Sequence, residues 1–346
     1  MSPTPAAAFA NQIDYCRANG APLTAAIVKA VWDRVDPDGT LGQALHRWPG
    51  DPLADVLPLR VAAAVHALHL SGAEPRLAPL YAGELTREEL SDTIAAVVAE
   101  READILPWLK GPPQTNEAGR SAGFMAALLW LAARGHSPRF ELIEIGSSAG
   151  INLMMDRFAF DLGGVRAGDA GSSLEIVPDW RGASPPDADV SIVSLTGCDR
   201  DPVDLSSREG RVRLAAYVWP EMKARMARLE QAFALADADP PHVVQADAAD
   251  FVESRLAEPQ EEGVTRVLMH SLVWQYLPAE TQDRVRAAME AAGARASEER
   301  PLAWVELEGD RTLLKHRLHV RAWPGAAERV ELARAHAHGA WMEWIA

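Results

Sequence analysis

Apolar residues recur at intervals of three and four along the first part of the chain, as they do on one face of a helix. This spacing predicts helices over about 5–18, 23–35, 59–70, 86–106 and 115–134. Thr86, which precedes two acids, and Thr115 are the expected N-caps, and Gly135 follows the last of these helices. No convincing strand is expected before Arg139.

Beyond Arg139 the pattern changes to short, nearly all-apolar runs separated by helical segments. These runs predict buried strands over 140–145, 190–195, 242–245, 264–269 and 302–307, with helical composition over 211–236 and 279–293. Such alternation is typical of a parallel sheet covered on both faces. The Trp-rich stretches 317–323 and 339–345 predict an antiparallel terminal hairpin. The fold class expected is α/β, with an all-helical region over 1–138, a mostly parallel sheet over 139–346, and a β insertion at about 157–189.

Composition and net charge indicate which kinds of binding partner are disfavoured. The 346 residues carry a formal net charge of -15 at a pI near 5.1, which argues against nucleic acid or an anionic membrane as the main partner. A local basic patch remains, formed by Arg311, Lys315, His316 and Arg317. Two distant cysteines, no secretory signal and no apolar run of roughly 20 residues together predict a cytoplasmic protein.

The most informative segment is the small-residue turn 146–150, called the glycine turn below, which joins a strand to a helix. Small residues let a ligand approach the backbone closely, although a tight turn without any ligand has the same composition. A dinucleotide fingerprint, G-x-G-x-x-G, fails because Ser148 and Ile151 occupy the second and third glycine positions.

A serine hydrolase is a second interpretation, since 146–150 fits G-x-S-x-G with Ser148 as the nucleophile. Asp199 or Asp247 would then be the acid, and His316 or His336 the base. Only helices precede the turn, however, whereas in α/β-hydrolases several strands precede it.

The third interpretation rests on an acid followed by G-x-G-x-G at the end of a strand. Glu144, Gly146 and Gly150 match this pattern, and Ser148 replaces the central glycine. The segment resembles the first motif of methyltransferases that use S-adenosylmethionine (AdoMet), a cofactor without phosphate.

Three later segments resemble the other methyltransferase motifs in the right order. Asp199 would accept hydrogen bonds from both ribose hydroxyls. Asp247 would accept a hydrogen bond from the adenine amino group, to which Ala248 adds its main-chain N–H as a donor. The segment 267–278 would form the bottom of the pocket beside the reacting methyl group. Asp199 lies 199 − 150 = 49 residues beyond Gly150, against about 20 in the usual pattern. Either the excess is an insertion or Asp179 is the ribose ligand.

The whole chain resembles an uncharacterised bacterial family, a domain of unknown function. The resemblance rests on 116–121, 144–152, 197–199, 217–220, 270–278 and 338–339. It spans nearly the full length and implies a Rossmann-like methyltransferase fold, but it implies no activity.

The remaining candidates are side chains expected at the pocket. His270, at a strand's carboxyl end, and Glu117 are candidate general bases, and His270 is also expected to touch the cofactor. Asn116, Arg120, Trp274 and Tyr276 are candidate substrate contacts, with helix capping and packing as the alternatives. The late histidines His316, His319, His336 and His338 are expected on a hairpin or cleft and not at a metal, so no metal is expected.

These observations predict an AdoMet-dependent methyltransferase that acts on an O, N or S atom of a small molecule. The alternatives are a non-catalytic ligand-binding protein that retains the fold and the serine hydrolase described above. The segment 267–278 lacks the [DNS]-P-P-[YF] pattern of base amino-methyltransferases, which also disfavours nucleic acid as substrate.

Overall fold

The computed structural model describes residues 3–310, 315–325 and 328–346. Arg311 of the predicted basic patch lies outside these described residues. In chain order the helices are α1 (Pro5–Ala18), α2 (Pro22–Arg34), α3 (Thr40–His46), α4 (Leu57–Leu70), α5 (Ala78–Tyr81), α6 (Arg87–Glu100), α7 (Glu102–Ile105), α8 (Ser121–Ala133), α9 (Arg208–Ala215), α10 (Lys223–Ala238), α11 (Ala248–Ala257) and α12 (Ala279–Gly293). The strands are β1 (Arg139–Ile145), β2 (Ala159–Leu162), β3 (Val165–Gly168), β4 (Glu175–Ile176), β5 (Asp179–Arg181), β6 (Ser191–Asp199), β7 (Val243–Gln245), β8 (Thr265–Ser271), β9 (Leu302–Asp310), β10 (Lys315–Trp323), β11 (Val330–Ala335) and β12 (Trp341–Trp344).

The chain divides into two compact units. The first comprises Met1–Thr115 and Ser207–Ala227, and the second comprises Asn116–Ser206 and Arg228–Ala346. This division differs from the 138/139 boundary expected from the sequence, because α8 belongs to the second unit and α9 to the first. Among the described residues, no helix combines the length and the apolarity needed to cross a membrane.

Helices and turns make up the described residues of the first unit, and α1, α2, α4 and α6 surround an apolar core. Phe9, Val31, Val61, Ile94 and Val97 are fully buried there. The expected N-cap at Thr86 is present as a capping box: Thr86 accepts from the N–H of Glu89, and Glu89 accepts from the N–H of Thr86. The helix predicted over 86–106 ends at Glu100, and α7 follows it as a separate element.

Glu221, in the turn between α9 and α10, ties that turn to the start of α2. Its Oε1 accepts from the N–H groups of Leu23 (2.7 Å) and Thr24 (3.0 Å), and its Oε2 accepts from the Thr24 hydroxyl (2.7 Å). Ala21 precedes α2 and supplies no side-chain cap. The carboxylate of Glu221, which is distant in the sequence, caps the N-terminus of α2 instead.

Glu221→Ala is therefore expected to destabilise the first unit by about 1–3 kcal/mol, the range for losing hydrogen bonds to a charged acceptor. Amide hydrogen exchange of residues 22–27 measures the effect. The control is Glu230→Ala, which removes an exposed acid of α10. Equal exchange in the two variants would contradict the capping role.

The second unit contains a nine-stranded sheet, in the order β5-β12-β11-β10-β9-β8-β1-β6-β7 within the described residues. Its strands β7, β6, β1, β8 and β9 are parallel to one another. Numbered along the chain, these five follow the order 3-2-1-4-5, which is that of a doubly wound sheet. The predicted mixed α/β class with a mostly parallel sheet is confirmed, and the strand order reverses between β1 and β8.

The terminal strands differ from the hairpin expected from the sequence. β10 pairs antiparallel with both β9 and β11, and β12 pairs with β11. The stretches 317–323 and 339–345 are therefore not direct partners, because β11 lies between β10 and β12. Its sequence, VELARA, is poor in the residues that favour strands.

The strands of the insertion between β1 and β6 belong to two different sheets. β2, β3 and β4 form a separate three-stranded sheet, while β5 joins the far edge of the large sheet beside β12. At the opposite edge, β6 and β7 are only partly covered, and Val193 and Val244 are exposed. The expectation that these two strands are buried on both faces is wrong.

Two helix predictions also need correction. The helix expected from Thr115 begins at Ser121, after a 3₁₀ turn at Ala118–Arg120, because Glu117 has extended backbone angles. The helix expected over 211–236 is two helices, α9 and α10, separated by a turn that contains Pro220.

Candidate functional site

Most of the predicted site residues lie along the side of the sheet at which the parallel strands end. Glu144 lies near the end of β1, Asp199 ends β6, Asp247 follows β7 and His270 lies near the end of β8. In an open parallel sheet ligands bind at this edge, next to the point where the strand order reverses. That point lies between β1 and β8. The carboxyl ends of these strands and of their neighbours therefore form the candidate site.

The glycine turn has a backbone that requires small residues at defined positions. Gly146, Ser148 and Gly150 have φ values of 67°, 55° and 76°. A Cβ at Gly146 would lie 2.3 Å from Cγ2 of Val273, and one at Gly150 would lie 2.8 Å from Cγ2 of Val243. Both glycines are therefore needed for packing against the chain itself.

Asp199 holds the glycine turn in place. Its Oδ2 accepts from the N–H of Ser148 (2.8 Å), and its Oδ1 accepts from the N–H of Asp201 (2.9 Å). A carboxylate has about four acceptor positions, so two bonds leave each oxygen a further lone pair. Asp199 is only half-buried, and it can accept from a ligand while it supports the turn.

Asp179 does not lie near the glycine turn. It lies on β5, at the edge of the sheet opposite β6 and β7, with its side chain 64% exposed and paired with Arg181. The strand order therefore contradicts Asp179 as the alternative ribose ligand.

Asp247 is the N-cap of α11. Its Oδ1 accepts from the N–H of Ala249 (2.9 Å), while Oδ2 lies 3.4 Å from Arg200 and 3.5 Å from the hydroxyl of Thr281. Its side chain keeps 28% of its surface exposed. Ala248 is buried in the apolar core beside α11 and α12, so only its main chain is a candidate ligand contact.

Glu144 lies beneath the glycine turn and has 1% of its surface exposed. Its Oε1 accepts from Nδ2 of Asn152 (2.7 Å). Burial raises the pKa of Glu144 to about 7, against smaller lowering effects of Asn152, Ser147 and Arg120. Glu144 therefore supports the turn from inside and offers almost no surface to a ligand.

Asn116, Glu117 and Arg120 have separate partners. Asn116 Oδ1 accepts from the N–H of Ile151 (2.8 Å), the first residue of the 3₁₀ turn Ile151–Arg157. Glu117 is buried and pairs with Nε of Arg228 (3.2 Å). Arg120, also buried, donates from Nε to the carbonyl of Ala337 (2.9 Å). The carboxylate of the candidate base Glu117 is therefore engaged by Arg228.

His270 has a carboxylate partner that was not among the predicted site residues. Its Nδ1 lies 2.7 Å from Oε1 of Glu308, on β9. The same oxygen accepts from the N–H groups of Val273 (3.2 Å) and Trp274 (3.3 Å). The bond to Glu308 favours the tautomer with the proton on Nδ1, which leaves a lone pair on Nε2. The predicted strand ended at Leu307, one residue before Glu308, and an acid at the end of a neighbouring parallel strand was the available signal.

Aromatic rings enclose His270, whose surface is fully buried. The ring of Trp274 stacks on it at 5.0 Å and 20°, and Trp304 lies 6.0 Å away. Arg286 in turn covers the ring of Trp274 at 5.0 Å. Tyr276 follows in the same 3₁₀ turn and is half-buried, and Trp274 is the residue of this turn that stacks on the imidazole.

The strand order places the histidines of the predicted hydrolase triad on strands away from β1, which leads into the glycine turn. Asp199 bonds the main chain of Ser148, and Asp247 caps α11. His316 is on β10, three strands from β1 in the sheet, or roughly 14 Å at about 4.8 Å per strand. His336 follows β11, one strand further. The acid–histidine pair of the described site is Glu308–His270.

Three of the late histidines, His316, His336 and His338, lie near one another, whereas His319 lies within β10 and 3.9 Å from Glu331. Burial, with Arg120 nearby, lowers the pKa of His316 to about 4, so His316 is neutral at neutral pH. The rings of His336 and His338 lie 5.6 Å apart. Within 3–310, 315–325 and 328–346, no group of three His, Cys, Asp or Glu side chains is arranged to hold a metal ion.

The comparison with protein families gives one match over almost the whole chain. Residues 6–344 match the family described as "Uncharacterized protein conserved in bacteria (DUF2332)". The chain belongs to this family. No curated protein and no solved structure matches the chain.

Proposed function

We propose that the second unit is an AdoMet-dependent methyltransferase for a small molecule. One observation carries the proposal: the acids Glu144, Asp199 and Asp247 stand at the ends of three neighbouring parallel strands in doubly wound order, with the glycine turn after the first. This is the edge at which such sheets bind nucleoside ligands.

The hydrogen bonds at the glycine turn favour AdoMet over a dinucleotide. Asp199 takes the N–H of Ser148, and Asn116 takes the N–H of Ile151. In dinucleotide sites such groups bind the pyrophosphate. A nucleoside ligand without phosphate needs acceptors for hydroxyl and amino groups instead, and the carboxylates of Asp199 and Asp247 fit that need.

In this proposal each residue has a defined task. Asp199 accepts from the ribose hydroxyls, Asp247 accepts from the adenine amino group, and Glu144 supports the turn. AdoMet would supply the electrophilic methyl group. Nε2 of His270, held by Glu308, would take the proton from the acceptor atom. Because Nε2 of His270 is buried, the acceptor reaches it only when surrounding side chains move.

Calorimetry with AdoMet and with its demethylated product tests the cofactor assignment. The variant is Asp247→Asn, because asparagine is as good an N-cap as aspartate but loses the charged acceptor. We expect saturable micromolar binding by the wild type and binding weaker by about tenfold or more in the variant, as for a lost hydrogen bond to a charged group.

Asp250→Asn is the matched control, since Asp250 lies in the first turn of the same helix but is exposed and paired with Arg284. It should bind as the wild type does. No saturable binding, or equal weakening in both variants, would overturn the assignment.

A ligand-binding protein without chemistry is the second candidate, favoured by the complete burial of His270. It predicts binding of AdoMet and of its product with no methyl transfer to any acceptor, and no loss of binding in His270→Gln. Methyl transfer that His270→Gln abolishes would exclude it.

A further inference from the structure

Beneath the glycine turn, Glu144 and Asn152 form a buried pair with two unmatched atoms. Nδ2 of Asn152 donates to Oε1 of Glu144 at 2.7 Å. Oε2 of Glu144 and Oδ1 of Asn152 are both buried and have no hydrogen-bond partner among the described residues. Glu144 is 1% exposed and Asn152 fully buried, so bulk water does not reach either atom.

Both unmatched atoms are acceptors when the glutamate is ionised, because a carboxylate has no proton to donate. Burying an acceptor without a partner costs about 1–3 kcal/mol, and more for a charged group. The Ser147 hydroxyl lies 3.2 Å from the main-chain oxygen of Glu144 and also acts on its carboxyl group as a hydrogen-bond donor that lowers the pKa, so its single proton serves only one of these acceptors at a time. One proton on Oε2, aimed at Oδ1, would satisfy both atoms together.

We propose that Glu144 binds a proton and forms a neutral acid–amide pair with Asn152, closed by two hydrogen bonds. The amide donates from Nδ2 to Oε1, and the carboxyl group donates from Oε2 to Oδ1. The pair is a proton site built into the sheet end, and it is independent of whether the molecule binds AdoMet.

The surrounding charges agree with a proton held near neutral pH. Burial raises the pKa of Glu144 to about 7, Arg120 acts to lower it, and Asp199 acts to raise it. The folded-state pKa lies above that of an unfolded glutamate, so the pair stabilises fully below the unfolded value. This stabilisation is lost as the pH rises through about 7.

Loss of the proton affects the glycine turn directly. Asn152 lies in the 3₁₀ turn that follows Gly150, and the first N–H of that turn is held by Asn116. When Glu144 ionises, the Oε2–H···Oδ1 bond disappears and a buried charge remains. We expect the turn to open more often at alkaline pH, so binding of any ligand at this turn weakens as the pH rises.

Glu144→Gln tests the proposal, because a glutamine amide donates to Oδ1 without needing a titratable proton. Amide hydrogen exchange of residues 144–155 is measured at about pH 6 and about pH 8.5, corrected for the intrinsic rate. With a pKa of about 7, opening of the wild type should increase about tenfold relative to the variant over this range. The infrared band of a protonated carboxyl group should be present in the wild type at the lower pH and absent in Glu144→Gln.

Glu141→Gln is the matched control on the same strand. Glu141 is an ion-paired carboxylate, with Oε2 2.8 Å from Nε of Arg266, so its replacement should increase opening at both pH values. Glu144→Gln should instead protect the turn at the higher pH.

Two outcomes would overturn the proposal. The first is a constant ratio between wild type and Glu144→Gln at both pH values. The second is faster exchange in Glu144→Gln than in the wild type at both, which would mean that an ionised Glu144 holds a cation or a donor group of a ligand. If the variant does not fold, the wild-type infrared titration decides, since absence of the protonated band at about pH 6 excludes the pair.

Discussion

Replacing Arg266 with methionine is expected to destabilise the second unit by about 3–5 kcal/mol, the range for removing one partner of a buried ion pair. Arg266 is 3% exposed, and its Nε donates to Oε2 of Glu141 at 2.8 Å. Its other nitrogens donate to the carbonyls of Arg255, Glu258 and Pro259. The variant leaves these acceptors and a buried carboxylate with fewer donors.

The effect should depend on burial and not on the removal of a positive charge as such. Arg284→Met is the control, because Arg284 pairs with Asp250 and Glu253 on the surface, with its side chain 39% exposed. Exposed pairs contribute about 0–1 kcal/mol. Hydrogen exchange of β8 measures both variants, and a loss of similar size in the two would show that the Arg266 network contributes little.

The paired change Glu141→Met with Arg266→Met separates the ion pair from the cost of an orphaned charge. Replacing both partners of a buried pair by apolar side chains is often nearly neutral. The double variant should therefore recover part of the stability that Arg266→Met loses. Arg255, which also contacts Glu141 at 3.2 Å, limits the recovery.

Local pattern was sufficient to predict most elements of the fold. α1 spans the predicted residues, and β1, β7, β8 and β9 lie within a few residues of the apolar runs. β11 was missed because its side chains have little preference for strands and are held by pairing with β10. The break between α9 and α10 was missed because composition alone does not locate a turn.

The candidate site was predictable as a set of positions but not as a set of contacts. Acids that follow strands mark the edge of a parallel sheet, which is why Glu144, Asp199 and Asp247 could be placed together. Their partners could not be read from spacing, since Val273 packs on Gly146 and Glu308 holds His270 only through strand pairing. Whether a glycine faces a ligand or a neighbouring side chain is decided by such distant contacts.

Gly339→Ala is the second substitution with a large expected effect, because two backbones meet at this position. Gly339 has φ of 68°, and a Cβ there would lie 2.1 Å from the carbonyl oxygen of Gly119 and 2.3 Å from its carbon. From the other side, a Cβ at Gly119 would lie 2.7 Å from the oxygen of His338. The hydrogen bond from Nε of Arg120 to the carbonyl of Ala337 (2.9 Å) also joins the two segments next to this contact.

The expected loss is about 2–4 kcal/mol. A left-handed alanine contributes about 1 kcal/mol of this, and forced separation of packed backbone contributes about 1–3 kcal/mol. Gly263→Ala isolates the first part, since Gly263 has φ of 72° and open space where the Cβ would lie. Hydrogen exchange of residues 118–121 and 336–341 should rise steeply in Gly339→Ala and little in Gly263→Ala.

If both alanine variants lose the same stability, backbone strain alone explains the cost, and the close approach of Gly119 and Gly339 contributes nothing. A larger loss in Gly339→Ala would instead mean that this crossing fixes the turn that carries His336 and His338. Arg120 and His316 are electrostatically coupled, and the Arg120 side chain is anchored to the same turn. Stability at Gly339 and the position of the Arg120 side chain near His316 would then both depend on this backbone contact.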